Sequence, residues 1–193
     1  MLRKYSSIFS GIVLCVLALS AAQLASAQTE RRSAIAIKVF KAGIFSGFAH
    51  NHVVVAPIAK AEINAEKLTA EITVTTKEMK VTDPEVSEKD RAEIQNTMLG
   101  PKVLDSEKFP EIHFMSTRIE QTGPQHYRVL GMLELHGVKH EAVLEVTGNA
   151  DHYHGTGKLK QSDFGIKPIS LGGGSIKVKD ELELEFDVYA ASR

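Results

Sequence analysis

The chain has no tryptophan and only one cysteine in 193 residues. It also lacks any block of like charge, with 23 lysines and arginines against 24 aspartates and glutamates. That balance removes the electrostatic footprint of a nucleic-acid binder. The lone cysteine, Cys15, lies in an apolar run over residues 8–19. Arg3 and Lys4 precede the run and Ala25-Ser26-Ala27 follows it, the order of a secretory signal peptide. The run is too short for a good membrane span. Leu14 stands where lipid attachment at Cys15 would need a small residue. Residues 1–27 are therefore expected to be removed, leaving 28–193 as one domain in the periplasm or outside the cell. Without Arg3 and Lys4, 21 basic residues face 24 acidic ones, a net charge of −3. The mature chain then has no disulfide and no thiol chemistry, although its compartment would permit bridges. No later apolar run approaches membrane-spanning length.

What the chain does have is alternation. Residues 126–148 read as two strands joined by a tight turn. Tyr127, Val129, Gly131, Leu133 and Leu135 share one face of the first arm, and Ala142, Leu144, Val146 and Gly148 share one face of the second. Gly137 sits in the link, where a tight hairpin wants a positive φ. Further strands are expected at 33–40, 48–58, 61–63, 68–75, 111–119 and 175–189, with Pro57 at an edge or bulge. In the last of these, Leu182, Leu184, Phe186 and Val188 oppose Glu181, Glu183, Glu185 and Asp187, so one face is apolar and the other solvated. Residues 121–125 and 172–174 read as turns, and 149–157 as a polar loop or strand end. One helix interrupts the pattern at 89–99. Ser87 caps it with Asp90 three residues on, and Gly100-Pro101 ends it. The fold class is all-β, roughly eight antiparallel strands with one helical excursion, either a sandwich or a closed barrel. A barrel of about eight strands holds one small ligand if its side chains leave the lumen unfilled.

Several stretches together resemble the YceI family. They are Lys108-Phe109-Pro110-Glu111-Ile112 with Phe114 and Ser116; Gly131, Leu133 and Leu135-His136-Gly137-Val138; Ser162-Asp163-Phe164-Gly165-Ile166; Asp90-Arg91; and the acidic, aliphatic final strand. The resemblance implies a periplasmic or secreted lipocalin-like barrel that binds a polyisoprenoid, a prenyl pyrophosphate or a prenyl quinone, in an apolar channel. With no basic block and no catalytic motif in the residues, no nucleic acid, no cofactor and no enzymatic activity are expected, while a transient membrane contact and a dimer are compatible with the reading. Two departures stand out. The passage from Asn96 to Leu104 is longer and differently composed, and Gly47-Phe48-Ala49-His50-Asn51-His52 has an extra histidine.

Given such a channel, the apolar faces nominate Phe48, Val54, Ile72, Val74, Phe114, Leu133, Leu135, Phe164, Leu184 and Phe186 as its lining. Each could equally be ordinary core, and either Ile112/Phe114 or His113/Met115 could face inward. His50 and His52 would share a strand face and could hold a metal or a pyrophosphate head. His136 and His140 flank the hairpin turn, and His152 and His154 lie two apart. No carboxylate or thiolate stands at a zinc-site spacing beside them. Asp163-Phe164-Gly165 matches a kinase triplet without the rest of a kinase, so Phe164 reads as a plug with Gly165 in a turn. The glycine run at 172–174 lacks the lysine of a phosphate loop. Ser162 and Asp163 have no histidine partner, and the acids of the last strand lie on the solvated face, which suits neither acid nor base catalysis. A histidine-based metal-binding protein and a solid-cored structural or interaction barrel are the rival readings.

Overall fold

A computed structural model of the chain describes residues 32–42, 51–149, 151–171 and 176–189. The expected leader, Phe48, His50 and the turn at 172–174 lie outside the described residues. The elements follow as β1 (Ala34–Ala42), β2 (His52–Asn64), β3 (Thr69–Thr75), β4 (Lys80–Val81), helix α1 (Glu88–Leu99), β5 (Glu111–Gly123), β6 (His126–Leu135), β7 (Val138–Gly148), β8 (His152–Lys160), β9 (Ser170–Leu171) and β10 (Ile176–Tyr189).

Among the described residues, eight antiparallel strands close into a barrel. The ring runs β1-β10-β8-β7-β6-β5-β3-β2, and β1 also pairs with β2, which completes it. Short β4 pairs with β2, and β9 pairs with β10. Closure removes free edges, and the alternation decides which residues face in. Ile35 and Ile37 of β1 face Phe186 and Leu184 of β10. Phe114 is buried while its neighbour Met115 is 58% exposed, which settles the inner face of β5.

The hairpin at 126–148 forms as read, with Leu135 opposite Val138. His136 (φ 54°) and Gly137 (φ 74°) are both left-handed, as a two-residue hairpin turn of the twist-matched kind requires. β2 is one strand rather than two, with a register shift between Ile58 and Lys60 directly after Pro57. β5 runs on to Gly123, so only Pro124 and Gln125 turn the chain. Residues 152–160 form a full strand, where the composition of 149–157 suggests a polar loop or a strand end. Its glycines are not turn residues: an added Cβ at Gly155 would overlap the Phe186 ring, and one at Gly157 would lie 2.6 Å from Leu144 Cδ2. They keep the wall thin where neighbours lean over it.

One end of the barrel is plugged. Val54, Ala56, Val74, Met79, Val81, Leu104, Leu135, Phe164 and Ile166 form a buried cluster there. Helix α1 adds Ile94, Met98 and Leu99. Ser87 Oγ accepts from the Asp90 N–H (3.1 Å) at its start. Gln95 ties it to β4, donating to Met79 O (2.7 Å) and accepting from the Val81 N–H (2.8 Å). The long passage after the helix folds back through Leu104 N–H to Met98 O (3.0 Å) and so delivers Leu104 to the plug. Phe164, 1% exposed, sits in a 3-10 turn that ends on Gly165 at φ 72°. Asp180 holds that turn, accepting from Ser162 N–H (2.8 Å) and Ser162 Oγ–H (2.6 Å). These two bonds pull the Asp180 carboxyl below its ordinary value of 3.8.

Phe164→Ala should therefore cost about 3–5 kcal/mol in urea unfolding, the usual range for a fully buried phenylalanine. A lowered native pKa stabilises above the ordinary value, and that contribution is lost as pH falls through the lowered one. The stability gap between the parent protein and Asp180→Asn should thus be present at neutral pH and close in unfolding curves taken below pH 3.8.

Candidate ligand-binding cavity

The opposite half of the barrel is not filled. A cavity of about 160 Å³ lies between the walls. Its floor meets the plug near Leu133, and its far end is walled by Ile63, Asn64, Ala65, Leu68 and Thr69 around the β2–β3 turn. Ile63 and Leu68 are 39% and 47% exposed, so the cavity opens to solvent there. Leu68 holds φ 50°, a left-handed backbone that a bulky residue adopts at a cost. A glycine would be the easy choice, and here the chain instead places an apolar side chain at the mouth.

Between floor and mouth the wall is isoleucine, leucine, valine, alanine and phenylalanine from β1, β2, β3, β5, β6, β7 and β10. The polar side chains in it are Asn64, Thr69, Tyr127 and Tyr153. The two phenylalanines, Phe114 and Phe186, lie against glycine. An added Cβ at Gly131 would overlap the tip of Phe114, as one at Gly155 would overlap Phe186. Each ring is thus recessed toward the wall instead of spanning the bore. Burial raises the Tyr153 phenol above its ordinary value of 10.0, and the neighbouring Tyr127 and Asp151 push the same way. It stays a neutral donor through the physiological range.

The structure places the nominated residues in two groups. Ile72, Phe114, Leu133, Leu184 and Phe186 line the cavity. Val54, Val74, Leu135 and Phe164 belong to the plug, packed at the other end. Phe48 lies outside the described residues. Tyr127, Val129, Leu144, Val146 and Tyr153, from the hairpin and β8, also line the open half. The signal for four of them was present, since Tyr127, Val129, Leu144 and Val146 share the inward faces of the hairpin arms.

His52 is remote from the mouth. It sits at the plugged end, its Nδ1 2.6 Å from Asp83 Oδ2, and Asp83 Oδ1 accepts from the Val53 N–H (2.6 Å). That buried carboxylate ties β2 to the loop before α1. His136 packs on Phe109 at 4.7 Å between ring centres, and the His140 ring meets Phe164 edge-on at 5.8 Å, so both support the plug. His152 and His154 share Asp187 Oδ1 at 2.7 and 3.3 Å on the outer face. His113 lies between Thr73 Oγ1 (3.2 Å) and Glu111 Oε2 (2.9 Å). The order hydroxyl, imidazole, carboxylate suits nucleophilic catalysis, yet none of the three belongs to the cavity wall. Among the described residues no group of three His, Cys, Asp or Glu side chains is arranged to hold a metal ion.

The fold has solved counterparts. BcnA of Burkholderia cenocepacia superposes with a TM-score of 0.56 at 17% identity, over 81% of this chain and 96% of that one. The YceI protein of Campylobacter jejuni gives 0.51 at 19% identity, over 72% and 81%. At these identities the likeness is one of fold. In sequence, the UPF0312 proteins of Pseudomonas savastanoi pv. phaseolicola and Pseudomonas syringae pv. tomato are each 34% identical over 94 residues, 44% of this chain and 47% of theirs. The chain thus spans about half the length of the curated relatives it matches. The YceI-like domain model matches residues 27–190, from just before β1 to just after β10. A barrel of this topology and a match over nearly all of its length place the chain in the YceI-like domain family.

Proposed function

We propose that this protein binds the apolar tail of a polyisoprenoid lipid, a prenyl pyrophosphate or a prenyl quinone, and carries or senses it outside the cytoplasm. The supporting observation is the half-empty barrel: an apolar bore open at one end and stopped at the other. The export reading is supported by the family match, which begins at residue 27, where the expected leader ends. Binding rather than catalysis fits a wall whose reactive side chains are two phenols, an amide and one threonine.

The size of the bore sets how the tail enters. An apolar cavity of about 150 Å³ accepts a benzene-sized guest. The 160 Å³ here therefore holds roughly one five-carbon unit at full depth. Burying such a unit contributes at most about 3–4 kcal/mol, at ~0.8 kcal/mol per carbon. Micromolar affinity needs about 8 kcal/mol left over after ordering costs. A second and third unit must therefore be covered as well, along the mouth at Ile63 and Leu68 or by displacement of the recessed Phe114 and Phe186 rings. Branched five-carbon units suit this wall because methyl groups dominate it.

Denaturing the purified protein and extracting it into organic solvent should release a prenyl lipid detectable by mass spectrometry. Stoichiometric zinc or copper without lipid would favour the metal-binding reading instead, and neither would leave a structural barrel. In Gly155→Ala the new methyl group pushes the Phe186 ring into the bore. Titration of that variant with a prenyl lipid should show affinity at least about tenfold lower, equivalent to about 1.4 kcal/mol, with the barrel still folded by circular dichroism.

A further inference from the structure

Resting on the prenyl-lipid reading above, we infer that the head group accepted here is uncharged and accepts hydrogen bonds, such as a quinone carbonyl or an alcohol, and is not a pyrophosphate. The polar side chains of the wall are gathered at its open half. Asn64 and Thr69 flank the β2–β3 turn, Tyr127 begins β6 and Tyr153 begins β8. A ligand whose tail reaches Leu133 places its head among them. Asn64 Oδ1 accepts from the Lys67 N–H at 2.8 Å, which leaves its Nδ2 to donate. The groups that can meet a head are that amide, the Thr69 hydroxyl and two phenols, all of them uncharged side chains with an N–H or O–H to donate.

A pyrophosphate needs something else. It carries several negative charges, and taking them out of water requires cations or a fan of N–H groups. Among the described residues no lysine, arginine or histidine belongs to the wall. Cations on the strands near the mouth are paired outside it: Lys60 with Glu62 (2.7 Å), Arg118 with Glu120 (2.8 Å) and Arg128 with Glu145 (3.0 Å). Lys67 is exposed on the turn and is not part of the wall. The fixed charge that bears on the Tyr153 hydroxyl is the Asp151 carboxylate, of the same sign as a pyrophosphate. A quinone carbonyl meets no such opposition. It would accept from a phenol that burial keeps protonated.

The test compares four ligands sharing one tail: a prenyl quinone, a prenyl alcohol, a prenyl pyrophosphate and a prenyl hydrocarbon with no head. Calorimetric titration of the purified protein at low salt should show the quinone and alcohol binding at least about tenfold tighter than the pyrophosphate. Replacing both phenols, Tyr127→Phe with Tyr153→Phe, should lower the ratio of quinone to hydrocarbon affinity about tenfold. That ratio cancels any general loosening of the barrel. Thr69→Lys should raise pyrophosphate affinity, and added salt should weaken the gain. A pyrophosphate that binds the parent protein as tightly as the quinone overturns the inference. So does a quinone-to-hydrocarbon ratio that the double phenol variant leaves unmoved. If none of the four ligands binds, the prenyl-lipid reading itself is wrong and this inference falls with it. If the hydrocarbon binds and heads make no difference, only the inference falls.

Discussion

Space inside a closed ring of eight strands is the constraint on which the rest of this structure depends. Such a ring is only just wide enough for its own inward side chains to fill it. Any room for a guest must come from positions that withhold a side chain. Here Gly131, Gly155 and Gly157 do so, and Phe114, Phe186 and Leu144 lean into the space they leave. Without those glycines the two rings would stand across the bore and the barrel would have a solid core. The cavity is thus a property of particular small residues and not a defect of packing.

A barrel open at both ends would be a leaking tube, and the plug prevents it. In it, inward residues of β2, β3 and β6 are covered by segments outside the ring: the 3-10 turn with Phe164, the β4–α1 excursion and the passage ending in Leu104. Their backbone groups need partners, which side chains supply. Gln95 bonds β4 in both directions, Asp83 receives the Val53 N–H, and Asp180 receives Ser162. Polar groups satisfied in this way, the buried Asp83 among them, fix one arrangement of an irregular region. The mouth has fewer such ties, and it is where Leu68 adopts a costly backbone and where Ile63 stays exposed. Stability is concentrated at one end and access at the other.

This division explains what could be read from the residues alone. The hairpin, the inward face of β10, the Ser87 cap and the Phe164 plug were legible because each is local: a period of two, a capping pair, a glycine after a buried ring. The start of β8 was not. Its composition, His152-Tyr153-His154-Gly155-Thr156-Gly157, reads as loop, and its glycines make sense only beside Phe186 and Leu144 on neighbouring strands. The cavity lining was half legible for the same reason. Alternation showed that Val54, Val74 and Leu135 point inward, but inward means plug at one height and lumen at another. Which height is which depends on α1 and the 161–166 turn folding under one end, a contact between residues far apart in sequence.

On the proposed reading, the physics of the wall also bears on exchange. A tail in this bore gains about what it gains in a bilayer, since lipid chains are as apolar as leucine or isoleucine side chains. Transfer between protein and membrane is then close to balanced, and small effects decide its direction. One is the depth of the bore, which covers few units well and leaves longer tails partly exposed at Ile63 and Leu68. Another is the hydrogen bond at Tyr127 or Tyr153, available inside the protein and absent in hydrocarbon. A third is the outer surface, where the acids of β10 are matched by Lys38, Lys158 and the two histidines. Exposed pairs of this kind add little stability. The four acids outnumber Lys38 and Lys158, so that face is net negative and offers an anionic membrane no attraction, and the approach of the barrel to a membrane is governed by the apolar mouth.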